Sequence, residues 1–159
     1  MGVGKILLIV GSIGAFIFLA ACTGGNYWVV SKFSSDVGQG LWKACEHVKC
    51  VSIDDNVGGG KNLEDWFKAV RAFAIISCLA SVGGILISIL GVVSDKVKGL
   101  FASIFLFAAA GCMALALVIF SSKINLGSTI KFGWSYILGW IGTLGGIGTA
   151  VVGILAEKF

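Results

Sequence analysis

Two cysteines in a polar stretch are the residues of this chain whose type and spacing most directly permit chemistry. Cys45 and Cys50 are separated by four residues, and they are the only cysteines outside the long apolar runs. A disulfide between them would close a small ring, and such a bond persists only in an oxidising compartment. We therefore expect a Cys45–Cys50 disulfide in a segment that faces the outside of the cell.

Other polar clusters in the same stretch resemble binding sites, but each lacks part of what its chemistry requires. His47 lies between the two cysteines, yet a closed zinc site needs four ligands and only three good ones are nearby. The acidic residues of 54–56 would bind calcium weakly, and such a group more often solvates a turn. Segment 58–62 lacks the leading glycine and the Ser or Thr of a phosphate loop. We expect no metal, no cofactor, no nucleic-acid partner, no catalytic residue and no enzyme activity.

The rest of the chain has the composition of a membrane protein. It is 57% hydrophobic and only 13% charged, with a mean hydropathy of +0.99, whereas soluble domains are about a quarter charged. Charge is missing from four runs, each at least about 20 residues and so long enough to cross about 30 Å of hydrocarbon: 6–25, 72–94, 99–122 and 132–156. Lipid cannot hydrogen-bond an exposed backbone, and the runs lack the alternation of barrel strands. We predict an all-α membrane bundle of four helices in one domain, without the internal charges of an ion relay.

Glycine is frequent in these runs, and small residues let membrane helices approach closely. Gly142 and Gly146 form a G-x-x-x-G pair in the fourth run. Gly84, with Ala80 and Ser88, repeats the same spacing in the second. We expect these residues to form packing seams inside one bundle, and a dimerisation face is the alternative.

The loops between the runs give the orientation. Four spans leave loops at 26–71 and 123–131 on one side, and a short turn at 95–98 with both termini on the other. The turn carries two lysines against one acid, a cytoplasmic pattern, while the long loop's six basic residues are balanced by six acidic ones. With the expected disulfide, this places the loops outside and both termini in the cytosol at the plasma membrane. Leu19–Cys22 also resembles a lipoprotein cleavage site, an alternative that would remove the first span.

The long loop has the pattern of a small antiparallel sheet. Aromatic and β-branched residues at 27–30 predict a strand, and Gly38–Gly40 predicts a turn into a second strand at 41–45. Another turn at 46–49 leads to a third strand at 50–53. A sheet this small has too little core to stand alone, so we expect it to lean on the helix ends.

Arg71 lies at the water boundary of the second run, where an unpaired cation is unfavourable. Its side chain can snorkel to lipid headgroups. Alternatively, its guanidinium binds backbone carbonyls of the Gly40-Leu41-Trp42 turn and locks the sheet to the bundle. We predict the second arrangement, with Trp28 and Trp42 at the same boundary, since tryptophan combines an apolar body with one polar N–H.

These residues together resemble the signature of the claudin superfamily: Trp28, Gly40, Leu41, Trp42, Cys45, Cys50 and Arg71. The compact cysteine spacing is similar to the branch that holds the epithelial membrane proteins, peripheral myelin protein and the lens fibre intrinsic membrane protein. Segments 66–77 and 132–140 also resemble the second and fourth helices of that branch. The resemblance implies a claudin-like fold, a four-helix bundle carrying an extracellular β-sheet, and roles in cell–cell contact and membrane organisation.

Two functions from different classes follow from this resemblance. One is a structural or adhesive tetraspan at cell–cell contacts, embedded in membrane lipids and associating with itself or related tetraspans within one membrane or between two. Leu41, Trp42 and Val51 are then candidate partner contacts, although Leu41 and Trp42 could instead pack within their own chain. The other is an auxiliary subunit of a channel or receptor. A paracellular barrier or pore ranks third, because Val51 stands where cation-selective claudins can carry an acid.

Overall fold

The computed structural model of the chain describes residues 2–34, 36–46, 49–52, 65–124, 127 and 130–158. Within these residues the chain forms four helices that are long and apolar enough to cross a membrane. They are α1 (Val3–Gly24), α2 (Asp65–Val93), α3 (Gly99–Lys123) and α4 (Trp134–Lys158). Each helix packs against its two neighbours in the order α1, α2, α3, α4 and back to α1, so the predicted four-helix bundle is confirmed.

The second helix begins at Asp65, seven residues before the uncharged run that predicts it. The helix extends further because its first turns carry an apolar stripe, which is interrupted in the sequence by charged residues. Phe67, Val70 and Ala74 follow the three- and four-residue spacing of one helix face, and all three are buried. The first turns of α2 therefore belong to the packed core.

Small residues line the seams between the helices, as the glycine spacing predicts. A Cβ added at Gly142 would lie 3.0 Å from the Cβ of Phe18 on α1, and one at Gly84 would lie 3.3 Å from the Cγ of Leu106 on α3. The contact at Gly146 is looser, with the Cβ of Ala110 at 3.7 Å. These glycines face helices of their own chain.

Five short strands form one antiparallel sheet at one end of the bundle, which we call the sheet end. They are β1 (Val29–Ser31), β2 (Val37–Gln39), β3 (Lys43–Glu46), β4 (Lys49–Ser52) and β5 (Ile130–Phe132), in the order β4-β3-β2-β1-β5. The hairpin of β3 and β4 is confirmed. Of the strands that the structure describes, β4 and β5 are the outermost. The opposite end of the bundle, with the connection between α2 and α3, is the turn end.

Two sequence-based boundaries are wrong. Gly38 is not part of a turn, because it pairs with Val30 and with Cys45 inside the sheet. The bend between β2 and β3 lies at Gly40–Trp42. The fourth span does not begin at Phe132, which pairs with Val29 as part of β5. Helix α4 starts two residues later, so the second loop also contributes a strand.

The core is concentrated where the sheet meets the bundle. Large side chains from the loop and the helix ends fill this region and are almost fully buried: Trp28, Leu41, Val70, Met113, Leu117 and Phe120. The ring of Trp28 meets the ring of Phe120 edge-on, with centroids 4.8 Å apart. The sheet thus rests on an apolar cluster, as expected for a sheet with little core of its own.

Candidate functional site: the sheet and its anchor on the bundle

Two tryptophans of the loop hold the C-terminal end of α1. The Nε1 of Trp28 donates a hydrogen bond to the carbonyl of Cys22 at 2.7 Å, and the Nε1 of Trp42 donates to the carbonyl of Thr23 at 2.9 Å. The last four carbonyls of a helix have no partner within the helix. Each indole therefore satisfies a backbone acceptor that would otherwise be left without a bond at the membrane boundary.

Gly40 permits the loop to come this close to α1. A Cβ at this position would collide with the carbonyl oxygen of Gly25, and it would lie 2.7 Å from the Cα of Asn26. The amide of Gly40 donates to the carbonyl of Lys43 at 2.9 Å and closes the bend. A side chain here would push the bend, and with it the indole of Trp42, away from the helix.

Arg71 binds the bend from the side of α2. Its Nε donates to the carbonyl of Leu41 at 2.7 Å. Its guanidinium carbon lies 4.8 Å from the ring centroid of Trp42 and 4.9 Å from that of Phe67. Aromatic faces attract a cation at this range. Arg71 thus makes the contact with the Gly40–Trp42 bend that the sequence analysis predicts; its importance for folding stays a prediction.

For Leu41 the structure supports one of the two alternatives that the sequence analysis leaves open. Its side chain is 0% exposed because it fills the apolar cluster beneath the sheet, so it is not available to a partner. Trp42 is half-buried and engaged with Thr23 and Arg71 of its own chain. Both residues therefore pack within their own chain, which is one of the two alternatives given in the sequence analysis.

The Cys45–Cys50 disulfide is present and joins β3 to β4. The two cysteines are directly opposite each other in the ladder. Cys45 is buried, whereas Cys50 is exposed. The model of chain entropy gives a closed loop of this size about 2 kcal/mol of stabilisation. His47 and residues 54–56 lie outside the described residues.

Val51 lies on the edge strand β4, and its side chain is 52% exposed. It borders a groove of about 770 Å³ on one face of the sheet. The groove combines aliphatic side chains with one acid and one base: Val37, Val51, Ile124, Ile130, Glu46 and Lys49. An apolar depression beside the outermost described strand suits contact with another protein segment.

Sequence reasoning missed a second groove, where β1 and β5 approach the start of α4. Phe33 is 82% exposed just beyond β1, and with Lys32, Lys131 and Trp134 it borders a groove of about 570 Å³. The signal in the sequence is one aromatic residue within an otherwise polar segment, Ser31–Ser34. Lys32 and Lys131 are about a hundred residues apart in the sequence. The pairing of β1 with β5 brings them to one groove.

Comparison with known proteins places this architecture among known families. The model of the PMP-22/EMP/MP20/Claudin family matches residues 1–156. The chain is 30% identical over 111 residues to the lens fiber membrane intrinsic proteins of Rattus norvegicus and Mus musculus. Each match covers 66% of this chain and 60% of the length of the relative. With four apolar helices and a small antiparallel sheet, the chain is a multi-pass membrane protein that belongs to the PMP-22/EMP/MP20/claudin family.

Proposed function

We propose that this protein is a non-enzymatic tetraspan with a structural or adhesive role in cell–cell contact and membrane organisation at the plasma membrane. The observation that carries the proposal is the anchor of the sheet. Trp28, Trp42 and Arg71 fix the bend of the loop to α1 and α2, so the sheet is held rigidly on the bundle. A preorganised surface loses little conformational entropy when it binds a partner.

The orientation that this function requires has the sheet end outside and both termini in the cytosol. The disulfide supports it, since such bonds persist in oxidising compartments. At the turn end, Lys96 and Lys98 are both exposed beside Asp95, and an excess of basic residues in a short connection marks the cytoplasmic side.

The proposed contact surface is the edge of the sheet at β4 with the apolar groove beside Val51. Among the described residues, β3 is the one hydrogen-bonded neighbour of β4, so the outer edge of β4 is proposed to present backbone donors and acceptors. The proposed partner is another copy of this chain or a related tetraspan. Val51 replaces Leu41 as the residue that offers apolar area to that partner.

Aggregation of non-adherent cells that express the chain tests the proposal. We expect transfected cells to cluster and expect Val51→Lys to return clustering to the level of untransfected cells, because a lysine would charge the apolar edge. Val93→Lys is the matched control, since Val93 is 80% exposed at the turn end; this variant should cluster like wild type.

Equal clustering by Val51→Lys and wild type would contradict the proposed surface. The adhesive role itself is wrong if cells expressing wild type at their surface do not cluster. If the chain then co-purifies stoichiometrically with a larger channel or receptor, it is an auxiliary subunit instead.

A further inference from the structure

The groove bordered by Phe33 has the chemistry of a lipid site. It lies where the chain passes from strand β5 into helix α4, with a volume of about 570 Å³. Its walls come from the end of β1, from β5 and from the first turn of α4. The side chains that define it are Tyr27, Lys32, Phe33, Lys131, Trp134 and Ile137.

The lower wall of the groove is continuous with the outer surface of the bundle. Trp134 is 51% exposed and Ile137 is 54% exposed on α4, a helix that spans the membrane. The rings of Tyr27 and Trp134 are adjacent, with centroids 6.1 Å apart. Aromatic rings of this kind concentrate at the level of the lipid headgroups. The surface that covers Ile137 in a bilayer is therefore an acyl chain.

The upper wall of the groove is positively charged. Lys32 and Lys131 are both exposed, and within the described part of the chain neither forms an ion pair. Among the described side chains that line this groove, none is acidic. The groove beside Val51 differs, because Glu46 accompanies Lys49 there. Two lysines without a carboxylate between them attract an anion.

The separation of these groups along the chain suits contact with a single phospholipid. Lys131 precedes Trp134 by three residues, about 10 Å of extended chain. The interfacial layer on each side of a bilayer is about 5–8 Å thick, and a lysine side chain can reach back along an apolar surface to place its ammonium there. The backbone of Lys131 is fixed, since it pairs with Val30 in the sheet.

We propose that one phospholipid of the leaflet at the sheet end binds this groove, with its phosphate between Lys32 and Lys131 and an acyl chain along Trp134 and Ile137. The groove of this site and the groove beside Val51 share Val30 and Ser31, but Lys32 and Lys131 border the first and Val51 borders the second.

Native mass spectrometry of the detergent-solubilised protein, titrated with phosphatidylcholine, tests this site. The variant Lys32→Gln/Lys131→Gln should hold phosphatidylcholine more weakly by up to about five-fold for each lysine removed, the effect of losing one exposed ion pair with the lipid phosphate. Lys43→Gln/Lys49→Gln removes the same charge from exposed positions elsewhere on the sheet and should bind like wild type. Lys32→Arg/Lys131→Arg keeps both charges and should also retain the lipid.

Two further probes identify the source of the bound group. A diacylglycerol with the same acyl chains lacks the phosphate, so its retention should be weak and unaffected by the lysine substitutions. Inorganic phosphate lacks the acyl chains and should not displace phosphatidylcholine. The proposal is overturned if Lys32→Gln/Lys131→Gln retains phosphatidylcholine as well as the Lys43/Lys49 control does, or if inorganic phosphate displaces the lipid.

Discussion

At the scale of single residues, side chains of the loop donate hydrogen bonds to backbone carbonyls that the end of α1 leaves without a helical partner. Helix α1 ends at Gly24, and two of its last carbonyls accept hydrogen bonds from the indoles of Trp28 and Trp42. Arg71 then binds the carbonyl of Leu41 in the same bend. We call this contact of Trp28, Trp42 and Arg71 with α1 and the bend the joint. Each of the three side chains donates a hydrogen bond to a backbone oxygen, and its apolar part fills the space between helix and sheet.

Replacing Arg71 by alanine should weaken this joint. The variant loses the bond to Leu41 and the stacking on Trp42 and Phe67, so we expect a loss of about 1.5 kcal/mol in the free energy of unfolding. Its thermal midpoint in detergent and its fraction at the cell surface should both fall. Lys43→Ala, at an exposed position of β3, is the control. Wild-type delivery and heat resistance of Arg71→Ala would show that Arg71 only snorkels.

The residues of this joint were largely predictable, but their exposure was not. A lone arginine at the end of an uncharged run has few favourable partners, so the sequence favours its contact with the bend over snorkelling to lipid. Leu41 differs, because an apolar residue in a loop suits a partner surface and an internal core equally well. Only the packing of the bend onto the helix ends decides that Leu41 is buried and that Val51 is exposed.

At the scale of secondary-structure elements, missing charge predicts where the spans lie, and packing decides where they begin. Helix α2 starts in a charged segment because Phe67 and Val70 bury one face. Strand β5 escapes prediction because its three residues gain their partners from β1, about a hundred residues earlier in the chain. Gly38 was ambiguous for the same reason, because it belongs to a strand through its pairing with Val30 and Cys45. The ring of Tyr27 occupies the space that a side chain at this position would fill.

The helix seams offer a test at this scale. Gly142→Leu would force a side chain into Phe18 and Leu19 of α1, and overpacking of this kind lowers stability by about 1–3 kcal/mol. Gly145→Leu is the matched control on the same helix, because an added Cβ there meets no other atom within 4 Å. Thermal unfolding in detergent should separate the two variants. If Gly142→Leu unfolds like wild type and alters only oligomerisation, the seam is an intermolecular face.

At the scale of the whole molecule, the structure consists of a bundle in the membrane and a sheet fixed to one end of it. The two edges of the sheet have different chemistry. The β4 edge carries Val51 at one end of an apolar groove, which suits a protein partner. The β5 edge carries Lys131 above lipid-facing residues of α4. Both assignments depend on the sheet end facing the outside of the cell, where the Cys45–Cys50 disulfide is stable.

Thiol labelling on intact cells measures this orientation and the disulfide together. A membrane-impermeant maleimide should leave Cys45 and Cys50 of the wild type unlabelled and should label Cys50 in a Cys45→Ser variant, since Cys50 is exposed. An impermeant reductant added first should make the wild type react as well. Labelling of both cysteines without reduction, or labelling of the variant only after the membrane is permeabilised, would contradict the account.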